Sequence, residues 1–407
     1  MTTPENSISA LEVAESPDVC VTDNASVKRA VKATMLGNAM EWFDFGVYAY
    51  LATTIGKVFF PEASGSAQLL STFAIFAAAF IVRPLGGLFF GPLGDRIGRK
   101  KVLATTIILM AGSTFAIGLI PSYESIGIAA PILLVLLRLL QGFSTGGEYG
   151  GASTFVAEYA PDKRRGFFAS FLEFGTLAGY VAAAGIVTII QTVVSAEDLL
   201  QWGWRILPHC RPAGSHRPVP SSAPGRNSRI PDDGAGRRAL LADESTGKKL
   251  RETLVDNWRP LVLCIVLVAT YNIAHYGLLS YMPTYLTNTL GYDESHGLVL
   301  MIIVMIVMMM GISYVGKFSD RVGRKPLLLS GFIGFFVLSL PAYLLIGVGN
   351  YVTVFLGLAI LGGLLLLFVG VFPSVLPALF PTGIRYGGLA IGYNLAVSIF
   401  GGTTPWC

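Results

Sequence analysis

Ten apolar runs, each long enough to cross a lipid bilayer, recur along this chain of 407 residues. A helix needs about 20 consecutive apolar residues to span the hydrocarbon core. Lipid offers no partners for backbone polar groups, and the runs are continuous rather than alternating, so they are predicted to be helices. The predicted spans lie near 31–56, 68–90, 102–120, 131–156, 167–194, 260–288, 298–317, 327–347, 352–376 and 387–405.

Composition supports an all-α polytopic membrane protein over a soluble one. The chain is 53% hydrophobic and 13% charged, whereas soluble domains carry about 25% charged residues. Residues 1–27 lack the short apolar core of a cleavable signal peptide, so the first span is predicted to act as an uncleaved insertion signal. The expected location is the cell inner membrane.

The loops between spans differ in charge, and the difference assigns them to two sides. Positive loops stay cytoplasmic, which predicts a cytoplasmic amino terminus. The basic loop residues are Arg96, Arg99, Lys100 and Lys101 after the second span, Lys163, Arg164 and Arg165 after the fourth, and Arg321, Arg324 and Lys325 after the eighth. The opposite loops carry Glu124, Glu197, Asp198, Asp293 and Glu294.

This sidedness requires a sixth span between Arg205 and Trp258, where the sequence shows none. Residues 207–238 are instead rich in proline and arginine, a composition that normally indicates a disordered linker. Codons can be chosen for 207–231 so that the neighbouring frame reads FLIAGPLAPIGLYLRLRLEETPAF, an apolar helix ending in arginine. A frameshift that scrambles helix 6 is therefore expected, with a genuine linker as the alternative. A twelfth helix is likewise expected to be missing after Cys407.

The two parts of the chain share a repeated pattern. The pattern G-x-x-x-D-R-x-G-R-K begins at Gly91 and occurs again from Gly316, with different residues at the x positions. Repeated halves that move about a central site are a common transporter design. We therefore predict a cytoplasmic tail at 1–30, an amino-terminal half at 31–206, a suspect tract and central loop at 207–258, and a carboxyl-terminal half at 259–407.

This repeated motif resembles the signature of the major facilitator superfamily, whose fold has two six-helix halves. The stretches that begin at Leu36, Arg83, Gln141 and Trp202 resemble its metabolite:proton symporter family. Those that begin at Ile120 and Ser280 are most similar to members that import proline or glycine betaine for osmotic protection. The resemblance implies a proton-coupled symporter that works by alternating access and needs no cofactor.

Several ionisable residues lie inside predicted spans, where a charge costs about 2.5–3.5 kcal/mol on insertion scales. Glu41 and Asp44 share one face of the first span, and a carboxylate in a dry cavity can carry a proton near neutral pH. Arg138 and Glu148 lie in the fourth span, and the resemblance implies a proton-transfer role for Arg138. The four residues are predicted to couple proton movement; the alternative is that Glu41 and Asp44 only pair with basic residues.

A second group of residues is predicted to bind the cargo. Arg83 could meet a substrate carboxylate, neutralise Glu41 or Asp44, or reach the lipid interface. Glu173 could attract a cationic headgroup, and aromatic faces bind quaternary ammonium groups, although such aromatics often only pack. Asn272 and His275 could contact cargo or bond between helices. The predicted cargo residues are Arg83, Trp42, Tyr48, Gln141, Glu173, Asn272 and His275.

The repeated loops are expected to form gates that join the two halves in one state only, largely from the resemblance. The gate residues are Asp95, Arg96, Arg99, Asp320, Arg321 and Arg324. The alternative is that these charges only set topology.

No enzyme or metal site is predicted. The sequence Gly142-Phe-Ser-Thr-Gly146 matches the hydrolase elbow but lies inside a membrane helix without a preceding strand. The four histidines have no metal-ligand spacing, and the basic residues lie beside lipid, so nucleic acid is not indicated. The expected partners are a small solute, protons and lipid. Two other functions stay open: a symporter for a carboxylate such as 2-oxoglutarate, citrate or shikimate, and a membrane scaffold or inactive truncated product.

Overall fold

Helices account for all the regular structure in the described part of the chain. The computed structural model describes residues 24–97, 99–146, 148–209, 255–381 and 384–404. The all-helical prediction is therefore confirmed for these ranges. The suspect tract at 207–238 lies almost wholly outside them, as do the ends of the chain.

In the first half, five helical segments lie at the positions of the predicted spans, and each is numbered as the span it matches. The first is Asn24–Tyr50 followed by Ala52–Phe59, the second Gly65–Ile81 followed by Arg83–Ile97, the third Arg99–Gly118, the fourth Ala129–Thr145 followed by Glu148–Tyr159, and the fifth Arg165–Val193.

In the second half, five helical segments match predicted spans in the same way and are numbered seven to eleven. They are Trp258–Tyr276 continuing to Met282–Asn288, Glu294–Val322, Arg324–Gly347, Tyr351–Val369, and Arg385–Ala396. The seventh and eleventh spans each contain a π-helical turn, at Gly277–Tyr281 and Val397–Gly401. Such turns widen a helix and frequently occur at functional sites. Among the described residues, seven helices are long and apolar enough to cross a membrane.

Helix ends between the spans follow ordinary capping chemistry. The side chains of Ser64, Asp293 and Asn350 accept hydrogen bonds from backbone amides in the first turns of the second, eighth and tenth spans. Ser295 donates through its hydroxyl and its backbone amide to Asp293, and these bonds lower the pKa of that carboxyl. Gly323 joins the eighth span to the ninth with a φ of 96°, a conformation that favours glycine.

The two halves meet along a few helix pairs. The fifth span packs against the first within its own half and against the eighth in the other half. The second and fourth spans contact the eleventh, and the first span contacts the π-helical turn of the seventh. Polar side chains of the first, second, fourth, fifth and seventh spans therefore converge between the halves, in the middle of the helical bundle.

Candidate functional site

A buried ion pair joins the first span to the second. Arg83 donates from Nη2 to Oε1 of Glu41, and both side chains are almost fully buried. The guanidinium carbon of Arg83 also lies 5.1 Å from the ring centre of Phe45 and 4.9 Å from that of Phe80, a cation–π arrangement. Of the alternatives for Arg83, the structure shows neutralisation of Glu41.

Asp44 belongs to a different set of contacts on the first span. Its Oδ2 accepts a hydrogen bond of 2.9 Å from Thr114, which in turn accepts one of 2.7 Å from Gln141. Arg138 donates to Gln141 over 2.9 Å, and its guanidinium lies 3.4 Å from the ring centre of Tyr48. We call Asp44, Tyr48, Thr114, Arg138 and Gln141 the Asp44 network; all five belong to the first half.

A small cavity borders the Asp44 network, and all five of its residues line that cavity. Its volume is about 30 Å³, which corresponds to room for about two water molecules. It is too small for a solute of the size of proline. The cavity therefore suits water that carries protons to Asp44 better than it suits cargo.

Glu173 lies where the two halves meet. Its carboxylate accepts a hydrogen bond of 2.8 Å from Tyr149 in the first half and one of 3.0 Å from Tyr271 in the second half. The ring of Tyr149 stacks on that of Tyr393 at 4.1 Å, and Tyr271 stacks on Phe372 at 4.7 Å. A buried carboxylate surrounded by aromatic rings is an environment that attracts an organic cation.

Aromatic side chains extend this environment across the interface. The ring of Trp42 lies 5.1 Å from that of His275, 5.5 Å from Tyr180 and 5.8 Å from Tyr276. The indole of Trp42 donates to Asn38 over 3.2 Å, which fixes the ring. We call Trp42, Tyr149, Glu173, Tyr271 and His275 the interfacial cluster; the structure brings together three predicted cargo residues there, Trp42, Glu173 and His275.

Asn272 and His275 differ from the other polar residues of the interface. Both are fully buried or nearly so, yet none of their side-chain nitrogen and oxygen atoms has a hydrogen-bond partner among the described residues. The hydroxyl of the adjacent Tyr276 is in the same situation. In the described residues, Asn272 and His275 therefore do not form the interhelical hydrogen bonds that were one alternative for them.

The second of the repeated loops makes a contact between the halves. Asp320 accepts hydrogen bonds of 2.7 Å from the backbone amide of Gly166 and 3.0 Å from that of Phe167, at the start of the fifth span. Anionic groups are favoured at helix amino termini. Arg324 instead donates to the carbonyl of Ser374 within its own half, and Arg321 is exposed.

Glycines allow the fifth and eighth spans to approach closely beside Asp320. A Cβ at Gly166 would lie 2.5 Å from the backbone oxygen of Gly316 and 2.8 Å from Oδ1 of Asp320. A Cβ at Gly316 would lie 2.7 Å from the oxygen of Gly166. The contact between the two spans is therefore incompatible with a larger residue unless the helices separate.

Gly166→Ala is expected to weaken this contact by about 1–3 kcal/mol, as overpacking does. The side of the bundle that holds this contact should then open more often. Cys264, which is buried in the seventh span, reports such opening through its rate of alkylation once the other three cysteines are replaced by serine. We expect faster alkylation in Gly166→Ala.

Gly185→Ala is the matched control, because it lies in the same fifth span and nothing is within 4 Å of a Cβ at that position. Its alkylation rate should equal that of the parent protein. Equal rates in the two variants would show that the Gly166 contact does not hold this side of the bundle closed.

Contacts between the halves also occur farther toward the opposite side of the bundle. Tyr50 donates to the carbonyl of Leu279 over 3.0 Å, and the hydroxyls of Tyr180 and Ser280 lie 2.9 Å apart. The interfacial cluster thus lies between two sets of closing contacts. This arrangement corresponds to an occluded state of the bundle.

Some predicted residues lie outside what the structure describes at the side-chain level. They are Glu148, Asp95, Arg96 and Arg99, whose predicted roles stay predictions. Conversely, four residues of the site were not singled out from the sequence: Asn38, Thr114, Tyr149 and Tyr180. Tyr149 directly follows Glu148, and each of the four is a polar or amphipathic side chain inside an apolar span, the signal by which they could have been found.

Comparisons with known proteins agree with this architecture. Residues 30–211 match the family described as "Sugar (and other) transporter", and residues 210–404 match the family described as "Major Facilitator Superfamily". The fold is similar to that of the proton:xylose symporter XylE bound to 6-bromo-6-deoxy-D-glucose, with a TM-score of 0.69 and 20% identity, over 95% of this chain and 88% of that one. At this identity the likeness concerns the fold alone.

Relatives of higher identity are named as transporters. The "Proline/betaine transporter" of Salmonella typhimurium is 48% identical over 95% of this chain and 78% of its own length. The "Glycine betaine/proline/ectoine/pipecolic acid transporter OusA" of Dickeya dadantii is 46% identical over the same shares. The "Ectoine/proline transporter ProP" of Corynebacterium glutamicum is 41% identical over 95% of this chain and 79% of its own. The predictions of family and of a transporter rather than an enzyme are confirmed: the chain belongs to the major facilitator superfamily of multi-pass membrane transporters.

Proposed function

We propose that this chain is a proton-coupled symporter that imports zwitterionic compatible solutes such as proline and glycine betaine. The observation that carries the proposal is Glu173, a buried carboxylate held by one tyrosine from each half. Cargo that binds between the halves is exposed to either side as the halves move. The names of the relatives, which include proline, betaine and ectoine, support the same class of cargo.

The proposed proton carriers are Asp44 and Glu41, with Arg138 and Arg83 as their cationic neighbours. The Asp44 network borders a water-sized cavity and lies wholly in the first half, apart from the interfacial cluster. Proton and solute would therefore bind at separate sites during the same alternating-access cycle. Glu148, whose side chain lies outside the described residues, is a further candidate.

The proposed gate consists of Asp320 on the fifth-span amides and its counterpart Asp95 in the first repeat. The contact of Asp320 with Gly166 joins the halves on the side where the basic loops lie. It supports a latch that closes the cytoplasmic side. This orientation belongs to a proposed location in the inner membrane with a cytoplasmic amino terminus, supported by the positive loops.

A carboxylate cargo such as 2-oxoglutarate is the nearest alternative. Two features disfavour it. Glu173 would repel a dianion at the interface, and the charge of Arg83 is already neutralised by Glu41. A scaffold without transport has no need of Glu41, Asp44, Arg138 and Glu173 inside the bundle, since such charges are costly there.

The proposal also includes the frameshift over residues 207–231, since an even number of spans must lie between the basic loops. With the frame restored, the two halves would run from 31 to the sixth span and from 259 onward. The tract itself lies outside the described residues, apart from its first three.

The test is uptake of labelled proline, glycine betaine and 2-oxoglutarate by cells that express the unaltered chain or a variant with the frame restored. We expect the restored variant to accumulate proline and betaine, and a protonophore to abolish the accumulation. The unaltered chain should accumulate much less, because the frameshift would replace the apolar sequence of the sixth span with a tract rich in proline and arginine.

Each result decides one part of the proposal. Uptake of 2-oxoglutarate without uptake of proline or betaine would show that the cargo is a carboxylate and not a zwitterion. Accumulation that survives the protonophore would exclude proton coupling. Equal accumulation by the unaltered and restored chains would overturn the frameshift, and the tract would then be a genuine linker.

A further inference from the structure

One face of the seventh span holds three polar side chains without partners. Asn272 and His275 are three residues apart, which places them on the same side of the helix, and Tyr276 is adjacent. Asn272 is 1% exposed, and His275 and Tyr276 are 0% exposed. All of their side-chain hydrogen-bonding atoms lack a hydrogen bond among the described residues.

Such a group is unusual for a folded protein. The large majority of buried polar side chains have at least one hydrogen-bond partner, and leaving several unsatisfied together is costly. Several neighbouring polar side chains, among them Glu173, Tyr180 and Asn38, are by contrast bonded. Unsatisfied groups that persist beside a bonded network indicate that something else completes them in the working cycle.

The chemistry of the group suits an anionic oxygen. The amide of Asn272 supplies two N–H donors, the imidazole of His275 at least one, and the hydroxyl of Tyr276 one. Arg83 is not an equal competitor in this state, because it is bonded to Glu41. The seventh span therefore offers the donors that a carboxylate needs, without a second full positive charge.

An anionic side chain, the carboxylate of Glu173, lies near this face of hydrogen-bond donors and could bind the cationic end of a solute. Tyr271 donates to Glu173 over 3.0 Å, and its ring centre lies 5.1 Å from that of His275. Trp42 also contacts His275, at 5.1 Å. One tyrosine and one tryptophan thus lie against the unpartnered face, and the tyrosine also reaches the buried carboxylate. A solute with both charges would find an acceptor and donors within one small region.

We infer that Asn272, His275 and Tyr276 form the subsite for the carboxylate of a zwitterionic solute, whose ammonium group lies at Glu173 and the surrounding aromatic rings. The inference rests on the proposed function and adds an orientation to it. The carboxylate contacts the second half, and the ammonium contacts mainly the first half. A bound solute then joins the two halves, which favours the occluded state.

The experiment compares two ligands that share a trimethylammonium group. Glycine betaine carries a carboxylate, and choline carries a hydroxyl in its place. Binding is measured with purified full-length protein, in the form that accumulates solute in the uptake experiment. We expect Asn272→Leu and His275→Phe to weaken betaine binding by roughly 10-fold or more each. Choline binding should change little, so the preference for betaine over choline should fall by a similar factor.

A second readout needs no ligand. Replacing unsatisfied polar groups with apolar side chains of similar size is neutral or stabilising, so both variants should keep or raise the Tm of the ligand-free protein. Betaine should raise the Tm of the parent protein and should do so less in the variants. Thr270→Val in the same span is the control, since its hydroxyl bonds only to the backbone of its own helix. It should leave affinity and preference unchanged.

Several outcomes would overturn the inference. An unchanged preference for betaine in both variants would place the carboxylate elsewhere, and a loss of that preference in Arg83→Gln alone would place it on Arg83. A lower Tm or a failure to fold in Asn272→Leu and His275→Phe would show that the groups have a structural role. An unsubstituted protein that binds and accumulates neither betaine nor proline would overturn the proposed function itself, and the subsite with it.

Discussion

Asp44→Asn is expected to abolish accumulation of the solute against its gradient while leaving exchange of solute across the membrane intact. The amide cannot take up and release a proton, yet its oxygen can still accept the hydrogen bond from Thr114. The expected effect is large. A membrane potential of about 100 mV supplies ~2.3 kcal/mol per proton, enough for an accumulation of roughly 50-fold. The accumulation ratio should fall from that range to about 1.

The measurement is a pair of assays on proteoliposomes. One follows uptake driven by an imposed proton gradient, and the other follows exchange of labelled for unlabelled solute without a gradient. Asp198→Asn, at an exposed carboxylate outside the bundle, should behave like the parent protein in both. If Asp44→Asn still accumulates solute normally, Asp44 is not the proton carrier, and Glu41 becomes the first candidate.

Glu41→Gln is expected to destabilise the protein by about 3–5 kcal/mol, because removal of one partner from a buried ion pair leaves the other charge uncompensated. Arg83 is 2% exposed, and in the variant its guanidinium would face a neutral amide instead of the carboxylate of Glu41. The variant should therefore unfold in detergent at a Tm several degrees lower than that of the parent protein. Glu62→Gln, at an exposed position, is the control.

A double variant separates the ion pair from mere packing. Glu41→Leu combined with Arg83→Met removes both charges and keeps apolar volume, so it should recover most of the stability that Glu41→Gln loses. It should not recover transport. If the single and double variants have the same Tm, an uncompensated charge on Arg83 does not cause the loss of stability in Glu41→Gln.

Much of the fold could be predicted from the sequence, because a continuous apolar run in lipid can satisfy its backbone hydrogen bonds only as a helix. Contacts within a single helix were also predictable. Arg138 and Gln141 share a face by their spacing, and they do form a hydrogen bond. Asp44 and Glu41 share a face as well, but spacing alone could not show that they would take different partners, Thr114 and Arg83.

The contacts across the interface were less accessible, since they depend on how the halves pack. The sequence indicated that Glu173 is functional, but no spacing relates it to Tyr271, which is 98 residues away. The sequence draws attention to the charged Glu148 rather than to the adjacent Tyr149. Tyrosines in membrane helices are common as interface anchors, so only the packed structure distinguishes one that binds a buried carboxylate from one that faces lipid.

The bond between Asp320 and the start of the fifth span has a consequence for how the protein tolerates mutation. Its donors are the backbone amides of Gly166 and Phe167, and every amino acid except proline carries such an amide. Changes of the Phe167 side chain therefore leave its donor in place, whereas Gly166 must stay small because Gly316 lies so close to it. The acceptor, in contrast, is a side chain, so position 320 of the second half must remain acidic for either hydrogen bond to form.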